Sequence, residues 1–391
     1  MISPNHMKKI LVFSLAYYPY IGGAEVAIKE ITDRISDIEF HMITMRFSRA
    51  DLKKEKIGNV FVHRVGSGNS YLSKILFIPR ATFAGLHLNR AHHFDGMWAM
   101  MSYMLYPVVL MRMLGVRIPY VLTLQEGDTY EHMFHRLRVF PFLPLLTWGF
   151  RRATVVQAIS TYLGRWARKR GFKGFLEIVP NGVDVARFSE PSLRFAVRKT
   201  LGIRESETIL ITVSRLVHKN AIDDVVRALP DLPGVYFLVL GGGQEERALR
   251  SLADGLGVAS RVKFLGHVEH EKLPAYLQAS TIFIRPSRSE GMGNSFIEAM
   301  AAGVPVIATQ VGGIADFLFD SKRNPDTSPT GWAVEKDSPE QIVQAVKEIL
   351  SNPSTVKKVI ENARKLVCEN YDWNFITQDM QERVFCNVLK N

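Results

Sequence analysis

The chain has 391 residues, of which 47% are hydrophobic and 22% are charged. This balance excludes a disordered protein, and the length favours two domains of ordinary size. The two cysteines, Cys368 and Cys386, are too few for a disulfide framework or a cysteine-based zinc site, which indicates a reducing compartment. Residues 1–6 show no charged-then-apolar targeting pattern, so we expect a cytoplasmic location.

The positive charge is concentrated in the first half of the chain. The net charge is +11, and residues 1–185 hold 24 Lys and Arg against 13 Asp and Glu, whereas the remainder holds 25 of each. This asymmetry favours an anionic partner: a membrane surface, a phosphorylated substrate or nucleic acid. No recognised nucleic-acid motif accompanies the charge, so nucleic acid is not expected. The longest uncharged apolar run, residues 97–111, is shorter than the ~20 residues that span a bilayer and is predicted to be a buried helix.

The first half of the chain alternates strand and helix patterns. An amphipathic helix over residues 24–35 follows the first strand. Strands are predicted at residues 9–15, 40–45, 59–64, 120–124 and 155–158. Such alternation is typical of a parallel sheet covered by helices, and therefore of an α/β unit.

A second α/β series follows, with strands predicted at residues 209–213, 236–240, 262–265, 281–284 and 304–308. The turn-rich stretch 180–191 is the predicted linker, and the boundary is placed near residue 185. Helices are predicted at residues 339–350, 353–369 and 374–389. Periodicity alone does not decide which unit the last helix covers.

The most informative segment, residues 285–303, reads as a strand end, a glycine loop and a helix. Ser295 and Glu298 fit a capping box that starts the helix at Ser295, and Gly303 would end it. The backbone amides of residues 292–295 would then point outward from a helix N-terminus. Since Gly291 and Gly293 allow close approach, the segment predicts a diphosphate site.

Cations and further glycines lie at other predicted strand ends. Arg215 and Lys219 follow the strand at 209–213, where they would neutralise a diphosphate leaving group. Gly22 and Gly23 precede the first helix; taken alone, this loop is equally a tight strand-to-helix turn. Residues 241–243 form a third glycine loop, which alone is a weak signal. Neither loop has the spacing of a dinucleotide site, and no P-loop sequence is present, which weakens dehydrogenase and ATPase readings.

Together these motifs resemble glycosyltransferase family 4, a group of retaining enzymes with the GT-B fold. Glu290 and Glu298 are similar to the Glu-x7-Glu pair of that family, and Arg215 with Lys219 is similar to its Arg/Lys motif. Gly22 and Gly23 match its first glycine loop, and residues 180–184 and 311–314 match further segments. The resemblance runs from residue 9 to the last helix.

The resemblance implies two facing Rossmann-like domains: residues 1–184 on the acceptor side, joined by a returning helix at 372–391, and residues 185–371 for the nucleotide sugar. Glu290, Arg215, Lys219 and Asp128 are the expected catalytic residues. The expected donor-binding residues are Gly22, Gly23, Gly242, Val268, Gly291, Met292, Gly293, Asn294, Ser295 and Glu298. The acceptor side is expected to use Gln125 and Glu126. Gln125 stands where the family usually has a His, so the role of that histidine does not carry over to this chain. Asn220 stands where the family usually has a Gly.

The implied function is transfer of a sugar from a nucleoside diphosphate sugar to an acceptor hydroxyl with retained configuration, in glycolipid, lipopolysaccharide or other cell-surface glycan synthesis. No metal or other cofactor is expected, because the cations and the helix N-terminus neutralise the leaving group. Residues 132–152 interleave aromatics with cations and predict peripheral contact with an anionic membrane at its inner face, where a lipid-linked or glycan acceptor would lie. The same pattern also fits a loop and helix packed on their own domain. A sugar-nucleotide epimerase of the same fold is the alternative.

Overall fold

The computed structural model describes residues 7–137, 140–190 and 194–390. The chain divides into two compact units, Met1–Asn181 with Trp373–Asn391 and Gly182–Asp372. The division falls three residues before the predicted boundary of 184, inside the turn-rich stretch.

The sheet of the first unit is parallel except at one edge. Its order is β3-β4-β2-β1-β5-β6-β7-β8, and only β3 runs antiparallel to its neighbour β4. The strands are β1 (Lys8–Phe13), β2 (Ile38–Met45), β3 (Lys54–Ile57), β4 (Val60–Val65), β5 (Gly96–Met100), β6 (Tyr120–Leu124), β7 (Val155–Ala158) and β8 (Phe175–Ile178). Apolar residues of β1, β2 and β5 form the centre of the core because helices cover both faces of the sheet.

Helices of the first unit connect these parallel strands. They are α1 (Gly23–Asp33), α2 (Tyr71–His92), α3 (Leu105–Met113), α4 (Tyr130–Phe134), α5 (Leu143–Arg152) and α6 (Thr161–Lys169). The prediction of one buried helix over residues 97–111 is wrong in its first part. Every residue of β5 is buried, so the run lacks the alternation that marks a half-exposed strand, and the helix begins only at Leu105.

The second unit has its own sheet, in the order β11-β10-β9-β12-β13-β14, with every pairing parallel. Its strands are β9 (Thr208–Val213), β10 (Val235–Leu240), β11 (Val262–Gly266), β12 (Ile282–Arg285), β13 (Val306–Ala308) and β14 (Trp332–Ala333). Its helices are α7 (Val185–Ser189), α8 (Arg194–Leu201), α9 (Ile222–Ala228), α10 (Glu246–Gly255), α11 (Leu273–Ala279), α12 (Asn294–Ala301), α13 (Pro339–Ser351) and α14 (Pro353–Asn370).

The end of the chain packs on the first unit. It comprises α15 (Trp373–Asp379), a π-helical stretch (Met380–Phe385) and α16 (Cys386–Leu389). Trp373, Phe385 and Val388 join the core of the first unit, and Arg383 pairs with Glu177 on β8. The returning helix implied by the resemblance is therefore confirmed, although it contains a π-helical stretch that the sequence did not predict.

Sequence patterning located most of the strands in both units. Three that it missed in the first unit are β3, β5 and β8. β3 and β8 are edge strands, and β3 carries the charged sequence Lys-Glu-Lys-Ile, a composition that protects a sheet edge from aggregation but hides the strand from hydrophobic patterning. Within residues 7–137, 140–190 and 194–390, no helix has both the length and the apolar character needed to cross a membrane.

Candidate active site

The sheet order of the second unit creates a switch point between β9 and β12. From β9 the chain moves outward to β10 and β11, then returns to β12 on the other side and continues outward to β13. The loops that follow β9 and β12 therefore diverge at the carboxyl edge and leave a crevice, which is where open α/β sheets bind ligands. Arg215 and Lys219 follow β9, and Glu290 follows β12.

Backbone hydrogen bonds connect these loops. The amide of Arg288 donates to the carbonyl of Lys219 over 2.7 Å, which joins the loop after β12 to the loop after β9. The carbonyl of Glu290 accepts from the amide of Gly313 over 3.2 Å. A Cβ atom on Gly312 would lie 1.9 Å from that carbonyl, and its φ of +58° also favours glycine. The loop after β13 thus fixes the backbone that carries Glu290.

The glycine loop after β10 lies against the loop after β9 without side chains between them. A Cβ atom on Gly241 would lie 2.0 Å from the carbonyl oxygen of Ser214, and one on Gly243 would lie 2.2 Å from that of Leu216. Gly242 is exposed, and its carbonyl accepts from the amide of Leu216 over 3.0 Å. Val268 lies half-buried in the loop after β11, on the other side of β10.

A buried arginine that the sequence reasoning missed lies under the glycine loop of residues 286–293, which we call the donor loop after its expected role. Arg285 ends β12 and is only 5% exposed. Its Nη2 donates to Glu290 Oε2 over 2.8 Å, and its Nη1 donates to Ser295 Oγ over 3.0 Å and to the carbonyl of Val213. Burial lowers the pKa of this guanidinium, and Glu290 opposes that shift. Arg285 therefore contacts the Glu290 carboxylate directly and helps to hold it in place.

The helix after the glycine loop begins one residue earlier than predicted, at Asn294. Its N-cap is Gly293, whose φ is +85°, and no side chain caps it. The predicted capping box is therefore wrong, because Ser295 bonds to Arg285 and Glu298 bonds elsewhere. A Cβ atom on Gly293 would lie 2.3 Å from Arg285 Nη2, so this glycine lets the backbone cross over the guanidinium. Gly303 has a φ of +74° just beyond the end of the helix, as predicted.

The remaining donor-loop residues take different positions. Gly291 and Met292 are buried, and the Gly291 amide donates to Glu290 Oε1 over 3.0 Å. Gly293 and Asn294 are half-buried at the helix N-terminus. The loop thus brings backbone amides and the Glu290 carboxylate to the same edge as Arg215 and Lys219.

Glu298 takes part in a relay that spacing in the sequence did not indicate. His270 Nε2 lies 2.9 Å from Glu298 Oε1, and Arg187 Nη2 lies 2.8 Å from His270 Nδ1. Because Arg187 can only donate, Nδ1 accepts and the Nε2 proton points to Glu298. His270 therefore orients the buried Glu298 carboxylate, and Arg187 fixes the His270 ring through its other nitrogen.

A second arginine, Arg288, forms an ion-pair network that connects the loop after β12 to other segments of the second unit. Arg288 binds Asp223 over 2.9 Å, Asp224 over 3.1 Å and Asp337 over 2.6 Å. Burial raises the pKa of Asp224 to about 6, although Arg288 opposes the shift; the carboxylates of Asp223 and Asp337 add to it. Asp224 is thus a buried acid whose charged form the folded state disfavours.

We expect Asp224→Asn to change the pH dependence of stability. The carboxyl titrates near 3.8 when unfolded and near 6 when folded, so the wild type loses stability as pH rises between these values. The amide variant lacks this loss. Its melting temperature relative to wild type should therefore rise from pH 4 to pH 7, measured by differential scanning fluorimetry. Asp231→Asn, at an exposed site on the same unit, is the control. A difference that stays constant across this range would contradict the assignment.

The first unit has its own switch point, between β1 and β5. Gly22 is the N-cap of α1 with extended backbone, Gly23 is the first helical residue, and both are exposed. The predicted glycine loop therefore lies at the carboxyl edge of this sheet, at the N-terminus of α1.

The predicted acceptor residues follow β6 in the same unit. Gln125 and Asp128 are half-buried, and Gln125 Oε1 has no hydrogen-bond partner among the described residues. Glu126 is 1% exposed, and its carboxylate accepts from the amides of Ser102 over 2.6 Å and Gln125 over 2.9 Å. Burial raises its pKa, and these hydrogen bonds oppose the shift. Glu126 thus holds the loops after β5 and β6 together, and its contact with an acceptor stays a prediction.

Comparison with known proteins covers both units. The profile described as Glycosyltransferase Family 4 matches residues 21–187, and the profile described as Glycosyl transferases group 1 matches residues 194–366. The GDP-mannose-dependent alpha-(1-6)-phosphatidylinositol monomannoside mannosyltransferase of Mycolicibacterium smegmatis is 31% identical over 248 residues, which is 59% of this chain and 63% of that protein. The GDP-mannose-dependent monoacylated alpha-(1-6)-phosphatidylinositol monomannoside mannosyltransferase of Corynebacterium glutamicum is 32% identical over 251 residues, which is 60% of this chain and 62% of that protein. The chain thus spans less than two thirds of these relatives.

Solved structures share the fold over almost the whole chain. Sucrose-phosphate synthase from Thermosynechococcus elongatus has a TM-score of 0.84 at 19% identity, covering 96% of this chain and 98% of its own. HepE of Anabaena, in complex with UDP-glucose, has a TM-score of 0.77 at 20% identity over 96% of this chain and 98% of its own. With a family profile matched on each unit and this fold, the chain belongs to glycosyltransferase family 4 and has the GT-B fold.

Proposed function

We propose that this chain transfers a sugar from a nucleoside diphosphate sugar to an acceptor hydroxyl, with retention of the anomeric configuration. The proposal depends on the switch point of the second unit, because Arg215, Lys219, the N-terminus of α12 and the ion pair of Arg285 with Glu290 all lie at the carboxyl edge of that sheet. Cations and helix amides at one sheet edge stabilise the charge that develops on a departing diphosphate.

The proposed reaction breaks the bond between the anomeric carbon and the diphosphate oxygen. The acceptor oxygen bonds to the same face of the anomeric carbon, and its proton passes to an oxygen of the leaving phosphate. We propose that Glu290 orients donor hydroxyls, and the bond from Arg285 supports this because it restrains the carboxylate. Arg215 and Lys219 neutralise the leaving group, so we propose that the transfer requires no metal ion.

The donor we propose to test first is GDP-mannose, because the two relatives above are named for it. Ligands that bind only the folded state raise the melting temperature. In a panel of GDP-mannose, UDP-glucose, ADP-glucose and dTDP-glucose, we expect one donor to raise it by several degrees, with the same rise in EDTA as in Mg²⁺. No shift with any of these donors would contradict the proposed site.

Product analysis separates transfer from the alternative, a sugar-nucleotide epimerase. A transferase consumes donor in proportion to acceptor glycosylated, whereas an epimerase forms free sugar or an isomerised donor without an acceptor. We expect release of nucleoside diphosphate that depends on the acceptor. We also expect the NMR coupling constant at the anomeric position of the product to show the same anomeric configuration as in the donor. A product with the inverted anomeric configuration would overturn the proposed retention but not the proposed sugar transfer.

The acceptor we propose is a lipid-linked or otherwise membrane-bound glycan, because the first unit carries both exposed apolar side chains and exposed arginines. We call Tyr71, Leu72, Ile75, Leu76, Phe140 and Phe142 the docking patch; all are exposed. The aromatic rings of Tyr103 and Tyr106 connect its two halves: the Tyr103 hydroxyl donates to the Lys74 carbonyl over 2.7 Å, and Tyr106 meets Phe142 at 6.2 Å.

The patch supports only part of the surface predicted at residues 132–152. Phe140 and Phe142 belong to that segment, residues 138 and 139 lie outside the described part of the chain, and the other half of the patch lies on α2. Arg136, Arg151 and Arg152 are exposed in the same segment. Each basic residue near an anionic bilayer contributes about 1 kcal/mol, and inserted apolar side chains add burial. We therefore propose reversible docking on an anionic membrane.

Removing two apolar side chains from α2 should weaken this docking. We expect Leu72→Ser with Ile75→Ser to lower the partition coefficient on vesicles containing phosphatidylglycerol at least tenfold, about 1.4 kcal/mol or more. Liposome flotation measures this. Phe195→Ser, at a comparably exposed phenylalanine of the second unit, should bind like wild type. Equal flotation of all three proteins, or no flotation of the wild type, would rule the patch out.

A further inference from the structure

A cluster of imidazoles in the first unit lies on strands and a helix end that the proposed transfer does not use. We call Glu39, His41, His63 and His92 the histidine cluster. Glu39 and His41 lie on the same face of β2, two residues apart, His63 lies on the neighbouring strand β4, and His92 is the last residue of α2. Three separate elements thus bring nitrogen and oxygen ligands to one place.

The ligand atoms are close enough to share an ion. One side-chain atom each of Glu39, His41 and His92 lies within 4.8 Å of the other two. Ligands at about 2.0–2.1 Å from a tetrahedral Zn²⁺ ion lie somewhat over 3 Å from one another, so a small inward movement completes the site. We propose that Glu39, His41 and His92 bind a Zn²⁺ ion, and that a water molecule takes the fourth position.

His41 is already oriented for this role. It is 4% exposed, and its ring lies between Phe61 at 4.9 Å, Phe94 at 5.2 Å and His63 at 5.4 Å. Its Nδ1 lies 3.2 Å from His63 Nε2, and its Nε2 lies 2.9 Å from Glu39 Oε1. Metal-binding histidines use one ring nitrogen for the ion and the other for a hydrogen bond that fixes the ring.

Metal binding requires both rings to change tautomer, with no net loss of a proton. Without metal, His41 Nε2–H donates to Glu39 and His63 Nε2–H donates to His41 Nδ1. With metal, His41 carries its proton on Nδ1 and donates it to His63 Nε2, while His63 gives up its Nε2 proton to solvent and takes one from solvent on Nδ1. The lone pair of His41 Nε2 then binds Zn²⁺. His63 is a positioning residue, because it touches His41 and not the ion.

The imidazole ligands select the ion, and a neighbouring lysine weakens its binding. Two imidazole nitrogens suit Zn²⁺ and disfavour Mg²⁺, which prefers an all-oxygen environment and keeps its water. Lys9 Nζ lies 3.4 Å from Glu39 Oε1 and competes with the ion for that carboxylate. The side chain of Lys9 is partly exposed, so it can withdraw to solvent when the ion binds.

The test is Zn²⁺ titration by isothermal calorimetry on the untagged full-length chain with Cys368→Ser and Cys386→Ser, which removes both free thiols. We expect one Zn²⁺ per chain, no Mg²⁺ binding, and a rise in melting temperature with Zn²⁺. His92→Ala should abolish this binding, and His63→Ala should weaken it about 10–100-fold. Lys9→Met should strengthen it.

The matched control is His87→Ala, an exposed histidine on the same helix, which should bind Zn²⁺ like the parent. Co²⁺ should give the visible absorption of a tetrahedral nitrogen and oxygen site. His92→Asn, with circular dichroism to verify folding, covers the case in which the alanine variant does not fold. No stoichiometric Zn²⁺ binding, or equal binding by the His87 and His92 variants, would overturn the site, and neither result bears on sugar transfer.

Discussion

Arg215→Ala is expected to lower kcat for sugar transfer about 10²–10³-fold, or about 2.7–4 kcal/mol of barrier, the cost of removing one donor from a charge-stabilising site. Arg215 is exposed at the carboxyl edge of β9, and its carbonyl accepts from Asn220, which fixes the loop. Charge on the diphosphate is largest as the bond to the sugar breaks. We therefore expect kcat and kcat/KM to fall together while KM for the donor changes little.

Arg204 supplies the control for this prediction, because it lies at the opposite end of β9 from Arg215. Arg204 precedes β9 and is 80% exposed, so Arg204→Ala removes an equal charge from the amino-terminal edge of the sheet. It should leave kcat within twofold of wild type. Arg215→Lys should recover part of the lost rate, because the charge remains but the planar donor pair is lost. If Arg215→Ala had the same kcat as the wild type, the proposed role of Arg215 in stabilising the leaving group would be wrong.

Arg285→Met is expected to destabilise the second unit by about 3–5 kcal/mol and to impair transfer, because removing one partner leaves a buried charge without compensation. Arg285 forms an ion pair with the Glu290 carboxylate, and it also bonds to Ser295 and Val213. Its guanidinium lies 4.2 Å from the ring of Phe296, so the methionine side chain also loses a cation–π contact. Urea unfolding, combined with hydrogen exchange of peptides from the second unit, measures the loss.

A double-mutant cycle separates the ion pair from general damage to the fold. Glu290→Gln alone should destabilise less than Arg285→Met, and the two changes together should cost less than their sum by about 1–3 kcal/mol, since neither charge is then left alone. Transfer should be lost in both single variants, because Glu290 is either absent or free to move. Additive costs in the cycle would show that Arg285 stabilises the unit without positioning Glu290.

Sequence reasoning located the secondary structure where the pattern was local. Tyr120–Leu124 and Val155–Ala158 match the predicted strands, and α13 and α14 begin at the predicted prolines, because proline favours the first helical turn. The reasoning was wrong for β5, whose burial on both faces removes alternation, and for the helix start at Ser295. A hydroxyl three residues before a glutamate predicts a cap only when neither side chain has a better partner, and here Arg285 and His270 are those partners.

Glycines and cations that follow predicted strands can be recognised in the sequence alone, and they indicated where the candidate site lies. The order of residues along this chain by itself determined the two α/β series, the glycine loops and the position of Arg215, Lys219, Glu290 and Glu298 along them. Only the tertiary structure decided the order of the strands, the burial of Glu126, the relay from Arg187 through His270 to Glu298, and the buried Arg285 beneath the donor loop. The physical reason is that hydrophobic periodicity and glycine conformations act over a few residues, whereas pairing of buried charges depends on which distant segments the sheet order places side by side.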